Sequence, residues 1–148
     1  MQQSSKNDLV YCLRILESIG KITLYTRVFD NPLDFFFAND QKDFNASLLL
    51  LINIGEQSAR ISAATREKYP QVLWQKIKQF RNVAAHDYTG VDKFITYDVI
   101  KVQLPLLRQQ IQDIVRQELR TETFDRTEYN ISRQSDYYKH IDYNQIDA

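Results

Sequence analysis

Apolar residues return every three or four positions along most of this chain, and that spacing limits what it can fold into. Leu9, Leu13, Leu16, Ile19, Ile22 and Val28 keep it near the start. Phe44, Leu48, Leu51, Ile52, Gly55 and Ala59 form a second stripe, and Leu73, Ile77, Phe80 and Ala84 a third. Leu106, Leu107, Ile111, Ile114, Val115 and Leu119 form a fourth. Residues three and four apart share one face of a helix, whereas strand residues alternate every two. With 3 glycines and 3 prolines in 148 residues, the chain also lacks the turn formers that a many-stranded β fold requires. The pattern predicts an all-α antiparallel helical bundle.

Local signals set the expected boundaries. Asn7 is placed to cap the first helix, and Asp30-Asn31-Pro32 to end it, because proline pushes the preceding residue out of the α region. Leu33 to Phe37 reads as one or two turns, with Phe35-Phe36-Phe37 for the core or a dimer interface. Asp40 is the expected cap of the second long helix. Gly55, inside that helix, costs about 1 kcal/mol relative to alanine, which suggests that a neighbouring helix approaches there. Glu56 beside it reads as a solvated carboxylate.

Pro70 suits the first turn of the third long helix and Gly90 its stop. On that helix Leu73, Ile77, Phe80 and Ala84 are the expected core face. Trp74, Lys78, Arg81 and Ala85 lie a quarter turn away, on a face that suits an interface shared with a second subunit. Asp92 caps the last helical region, where Pro105 predicts a break or kink near Leu104. After Arg120 the periodicity is lost. The expected organisation is therefore a bundle over 1–120 and a polar, acidic, tyrosine-containing tail over 121–148, ordered only against the body or a partner.

Net charge is zero but unevenly spread. The tail carries three cations against six carboxylates, which leaves it at −3 and the rest at +3. Between Arg60 and Arg81 six cations face Glu67 alone. Such a field suits an anionic partner such as nucleic acid, or is simply a solvated helix face. The lone Cys12 cannot form an internal disulfide and reads as a buried apolar residue in a reducing compartment. Met1 to Lys6 has no signal-peptide apolar region, and the longest aliphatic run, Leu48 to Ile52, is too short to span a bilayer. A cytoplasmic protein with no membrane contact is expected. No His/Cys/carboxylate group has metal-ligand spacing, and no glycine-rich phosphate loop exists, so neither metal nor cofactor is expected.

The stretch Arg81-Asn82-Val83-Ala84-Ala85-His86-Asp87-Tyr88 combines a fixed cation, a group that titrates near neutrality and a phenol, all useful around a phosphate. Histidine can act as base on a ribose 2′-hydroxyl or as acid at the leaving oxygen, and arginine can neutralise the phosphorane. Five residues on a regular helix, however, put Arg81 and His86 about 140° apart. They converge if the helix loosens, if the arginine reaches around, or if two copies face each other. A helix-terminal histidine that bonds its own last carbonyls is the plainer reading of the spacing alone.

Arg81-Asn82-x-x-x-His86-x-Tyr88, then Gly90-Val91-Asp92 and Leu104-Pro105, with Ile54-Gly55-Glu56 and Arg60-Ile61-Ser62 upstream, resembles the HEPN superfamily and, within it, the HepT-like toxins. The resemblance covers residues 8 to 119. It implies a helical homodimer with its active site at the dimer cleft, and a metal-independent endoribonuclease acting on transfer or messenger RNA. It implies Arg81 and His86 as the catalytic pair and Asn82 as an auxiliary. It also implies the toxin of a type VII-like toxin–antitoxin pair, whose antitoxin, a minimal nucleotidyltransferase, silences it by AMPylation of Tyr88. Lys78 and Trp74 on the basic helix are weaker candidates for RNA contact. The alternative is a HEPN-like module that binds RNA or the nucleotidyltransferase without cleaving.

Overall fold

A computed structural model describes residues 7–147. At its centre is α1 (Asp8–Thr26), whose residues Leu9, Cys12, Leu13, Ile15, Leu16, Ile19 and Ile22 are all buried. A helix that is apolar around so much of its circumference has to be covered on several sides. Here the cover comes from α3 (Lys42–Arg60), α7 (Leu104–Arg120) and the C-terminal segment. The described residues are helical with no strand, so the fold is all-α. No helix among them is long and apolar enough to cross a membrane.

Polar ties fix how α1 sits. Asp8 is fully buried and accepts from Ser62 N (2.9 Å), Ser62 Oγ (2.7 Å) and Thr65 Oγ1 (2.6 Å). Its desolvation is offset by these donors, and they join the start of α1 to the cap of α4 (Ala63–Lys68). Glu118 of α7 likewise accepts from Tyr69 Oη (2.6 Å) and Lys68 Nζ (2.8 Å). Burial pushes the Cys12 thiol up, with the nearby Asp8 and Glu118 carboxylates adding to it, so the thiol is held neutral.

Several boundaries differ from the sequence expectations. Helix α1 stops at Thr26, whose hydroxyl bonds back to Ile22 O at 2.8 Å, and Val28 is exposed rather than part of the stripe. Asn7 supplies no side-chain cap to α1. Asp40 caps nothing: Asn39, Asp40 and Gln41 all take left-handed φ values (51°, 56° and 66°), and α3 begins only at Lys42. Asn and Asp tolerate that region because their short polar side chains bond locally, as Asn39 Nδ2 does to Asp43 Oδ2 (2.8 Å). Of the three phenylalanines on α2 (Pro32–Phe37), Phe35 enters the core and Phe37 is exposed.

Asp92 does cap, accepting from Phe94 N (2.7 Å) and Ile95 N (3.1 Å) at the start of α6 (Lys93–Asp98). The break expected near Leu104 is instead a π-helical stretch, Val99–Gln103, in which Leu104 N reaches back to Val99 O. Widening the turn accommodates the missing N–H of Pro105 without ending the helix.

The segment after Arg120 is ordered against the body. It contains α8 (Arg126–Arg133), and Phe124, Tyr129, Ile141 and Ile146 are buried. Arg126 and Arg133 lie over the Tyr129 ring, with Arg133 also 5.1 Å from the centroid of Tyr143. The Glu17 carboxylate on α1 receives His140 N–H at 2.7 Å, and its other oxygen lies 2.7 Å from His140 Nδ1. Gly20 makes that crossing possible, because a Cβ there would lie 2.0 Å from His140 O.

Candidate active site

Helix α5 (Trp74–His86) carries the candidate residues and packs on α3, with Ala84 its one buried residue. Its close approach is to α3, at Gly55. A Cβ on Gly55 would fall 2.3 Å from Arg81 Cβ, so the glycine expected to admit a neighbouring helix admits this one, at Arg81. Arg81 is thereby held between two helices. Its Nη1 donates to Glu56 Oε1 at 3.1 Å, and its Nε is buried without a partner among the described residues. An arginine with one donor committed and others uncommitted keeps a fixed direction and retains capacity for a phosphate oxygen.

Glu56 thus serves as more than the solvated carboxylate suggested by its surroundings. The available signal was its position next to a glycine inside a helix. A glycine there marks a close helix crossing, and the adjacent carboxylate lies within reach of whatever crosses.

His86 is the last residue of α5 and is exposed. The helix is regular up to it, so its side chain and that of Arg81 remain about 140° apart around the axis. One chain does not bring them together by loosening. Helix α5 ends because Asp87 leaves the α region (φ −138°, ψ 70°), four residues before the stop expected at Gly90. The Asp87 carboxylate then accepts from Gly90 N (3.2 Å) and Thr89 Oγ1 (3.3 Å), and no glycine has positive φ. Tyr88 lies in this 3₁₀ turn, off the helix, with its ring half exposed. Asn82 and Lys78 are exposed on α5.

Trp74 is partly buried at the first turn of α5 and packs on the core. Its indole N–H donates to Tyr69 O at 3.0 Å, so that donor is already used within the chain. Pro70 lies outside the helix, in the turn that precedes Trp74.

The apolar face of α5 also departs from expectation. Ala84 alone enters the core, whereas Leu73 is exposed and Ile77 and Phe80 are half-buried. With Ile95, Val99, Val102 and Leu106 these side chains line an open groove of about 470 Å³. On the face with Trp74, Lys78 and Arg81, expected to suit an interface shared with a second subunit, Arg81 meets the chain's own α3 and Lys78 is exposed. Among the described residues no group of three or more His, Cys, Asp or Glu is placed to hold a metal ion.

Comparison with known proteins gives the chain a family. A model of the family described as ribonuclease HepT-like matches residues 15–114. The chain belongs to the HepT-like ribonuclease family. Its relatives include two proteins of Methanocaldococcus jannaschii. One, named "Gamma-glutamylcyclotransferase and putative RNase", is 32% identical over 113 residues, which cover 76% of this chain and 49% of the relative. The other, named "Putative RNase", is 29% identical over 109 residues, 73% of this chain and 97% of the relative. A Thermococcus cleftensis protein named "Probable ribonuclease HepT" is 28% identical over 116 residues, 77% and 98% of the two chains. The chain thus spans about half of the first relative and nearly all of the other two. No solved structure matches it significantly. Within the HepT-like chain, the matched region contains α5, Glu56 and the groove, and stops short of the segment that crosses α1 at Gly20.

Proposed function

We propose that this HepT-like chain is a metal-independent endoribonuclease that works as a homodimer, with Arg81 and His86 as its catalytic pair. The observation that carries the reading is the separation of the two on one regular helix beside an uncovered apolar groove. A symmetric dimer that brings α5 against its twin would gather two arginines and two histidines in one cleft, which a single chain does not achieve. Dimer interfaces are apolar at their centre, as the lining of this groove is.

In the proposed reaction His86 takes the proton of a ribose 2′-hydroxyl, whose oxygen attacks the adjacent phosphorus. Arg81 balances the charge on the phosphorane, and an acid, which the partner's equivalent of His86 can supply, protonates the departing 5′-oxygen. The products are a 2′,3′-cyclic phosphate and a 5′-hydroxyl. Asn82, next to Arg81 and exposed, is the auxiliary residue, and Lys78, also exposed on α5, extends the basic face toward RNA, whereas the indole N–H of Trp74 is already used within the chain.

The same reading makes the chain the toxin of a toxin–antitoxin pair, with Tyr88 as the residue AMPylated by a nucleotidyltransferase antitoxin. Its exposed phenol supports access by such an enzyme. An added phosphodiester there would compete for groups that otherwise meet RNA. Co-expression should place AMP on Tyr88, and Tyr88→Phe should remain active and escape silencing; label confined to other tyrosines overturns this part. The deciding experiment for the enzyme is incubation with total RNA in EDTA, followed by mapping of termini. Cleavage with cyclic-phosphate ends, absent in His86→Ala, is expected. RNA retained but uncut by the wild type would mean a binding module.

A further inference from the structure

A second pocket, of about 520 Å³, opens between the last turns of α7 and the C-terminal segment, among residues with no part in the proposed cleavage. Three guanidinium groups, from Arg116, Arg120 and Arg126, line it against one carboxylate, that of Asp147. Leu119 and Ile146, both buried, add apolar surface. Arg116 and Arg120 come from α7 and Arg126 from the segment, which is acidic overall.

The three arginines are not equivalent. Arg126 Nη1 donates to Asp147 Oδ2 at 2.6 Å. Arg116 donates to Asp113 Oδ1 at 2.6 Å and, through its other terminal nitrogen, to the Gln145 carbonyl. These two hold the chain terminus down. Arg120, exposed in the last turn of α7, has no hydrogen bond or ion pair among the described residues. Holding down the segment accounts for two arginines and leaves the third unexplained.

We propose that this pocket binds the phosphate of a nucleoside phosphate ester, either a free nucleotide or the phosphorylated end of an RNA strand. Planar guanidinium groups with parallel donors match phosphate oxygens better than lysines do. Arg120 supplies an uncommitted fork, and Arg116 and Arg126 are already fixed in place, so little ordering is needed on binding. The volume lies within the roughly 300–1,000 Å³ usual for small-ligand sites and far exceeds what a lone phosphate ion occupies. The room beyond the guanidinium groups takes the nucleoside attached to that phosphate.

The test uses the full chain carrying His86→Ala, so that RNA stays intact and binding is read whether or not the α5 site cleaves. Arginine side-chain resonances are followed by NMR as inorganic phosphate, adenosine 5′-monophosphate or a 3′-phosphorylated tetranucleotide RNA is added. Saturable shifts at Arg120 with the nucleotide, the RNA or both are expected, and which of them acts identifies the source. A charge-assisted contact of about 1.5–3 kcal/mol corresponds to at least about tenfold, so Arg120→Glu should weaken binding by that factor while helical content stays constant. Lys42→Glu, exposed at the start of α3 and outside both sites, should leave it unchanged. Absence of shifts at Arg120 overturns the proposal. So does inorganic phosphate binding as tightly as the nucleotide, which would mean an ion site only, or a loss in Lys42→Glu equal to that in Arg120→Glu.

Discussion

Phe124, Tyr129, Ile141 and Ile146 in the C-terminal segment are 0–8% exposed, whereas Leu73, Ile95, Val102 and Leu106 around the α5–α7 groove are 54–64% exposed. Both sets are apolar and both border α7. The first is covered by the chain itself, through a segment held by the Glu17–His140 contacts and seated on Gly20. The second is left uncovered. Burying a large aliphatic side chain contributes about 1.5–3 kcal/mol, so the first set supports the stability of the monomer and the second holds an unused driving force for association. The candidate catalytic residues belong to the open side, on a helix whose one buried residue is Ala84. The covered side is thus expected to carry stability and the open side function.

The sharpest way to break this division is at the α5 site. His86→Ala and Arg81→Ala should each lower RNA cleavage by about 10²–10⁴-fold while melting is nearly unchanged. Wild-type rates in either variant would remove the catalytic assignment, and a large fall in melting temperature would show that α5 bears stability after all.

The converse test is on the covered side. Tyr129→Ala removes a fully buried ring and should cost about 3 kcal/mol in urea unfolding. Gly20→Ala should act in the same direction by pushing His140 off α1, and should expose residues 121–147 to limited proteolysis. Both variants should still cleave RNA. Unchanged stability together with lost cleavage would reverse the comparison.

Charging the groove separates association from folding. Leu106→Asp should convert a sedimenting dimer to a monomer, with loss of cleavage, while monomer stability changes by no more than about 0.5 kcal/mol, as is usual at exposed positions. A dimer that survives Leu106→Asp and Val102→Asp together would place the interface elsewhere.

Alkaline pH offers a smaller readout of the covered side. Burial first, and then the neighbouring Tyr129 and Glu17, push the Tyr143 phenol up to about 12, and Tyr129 is also raised, chiefly by burial. A phenol raised above its unfolded value near 10 contributes stability that is fully present below pH 10 and is lost as pH climbs toward 12. Release of the segment, followed by proteolysis, should therefore begin above pH 10, and Tyr143→Phe should reduce that pH dependence.

The smallest effect is expected at Glu56→Gln. The pair with Arg81 is part-exposed, with side chains 23% and 41% accessible, so screening limits it to about 0–1 kcal/mol. Cleavage should change by less than about fivefold, with the effect largest at low salt; a loss as deep as that of Arg81→Ala would make the carboxylate indispensable.

How much of this could be read beforehand varies residue by residue. The stripes of α1, α3 and α7, the Asp92 cap and the close helix approach at Gly55 follow from spacing and from single-residue backbone preferences, which act over one or two turns. The Arg81–His86 separation was equally legible, since α5 stays regular between them. Asp40 was misassigned because a run of three left-handed residues depends on where α2 delivers the chain, and cap preference says nothing of that. Pro105 did signal an irregularity, but whether a helix breaks or widens depends on the packing that holds its two halves in line.

What the sequence determined by itself is the helical class, the apolar faces and the motif Arg81-x-x-x-x-His86-x-Tyr88, because each is encoded by local periodicity or residue identity. Tertiary structure alone decided which apolar face meets its own chain and which stays open. It also decided that a polar, acidic tail has enough buried aromatic and aliphatic residues to dock, and that Glu56 meets Arg81. The physical reason is that a helix's amphipathicity records that a face must be covered, while the identity of the cover is set by contacts between residues such as Glu17 and His140, or Gly55 and Arg81, that are far apart in the chain.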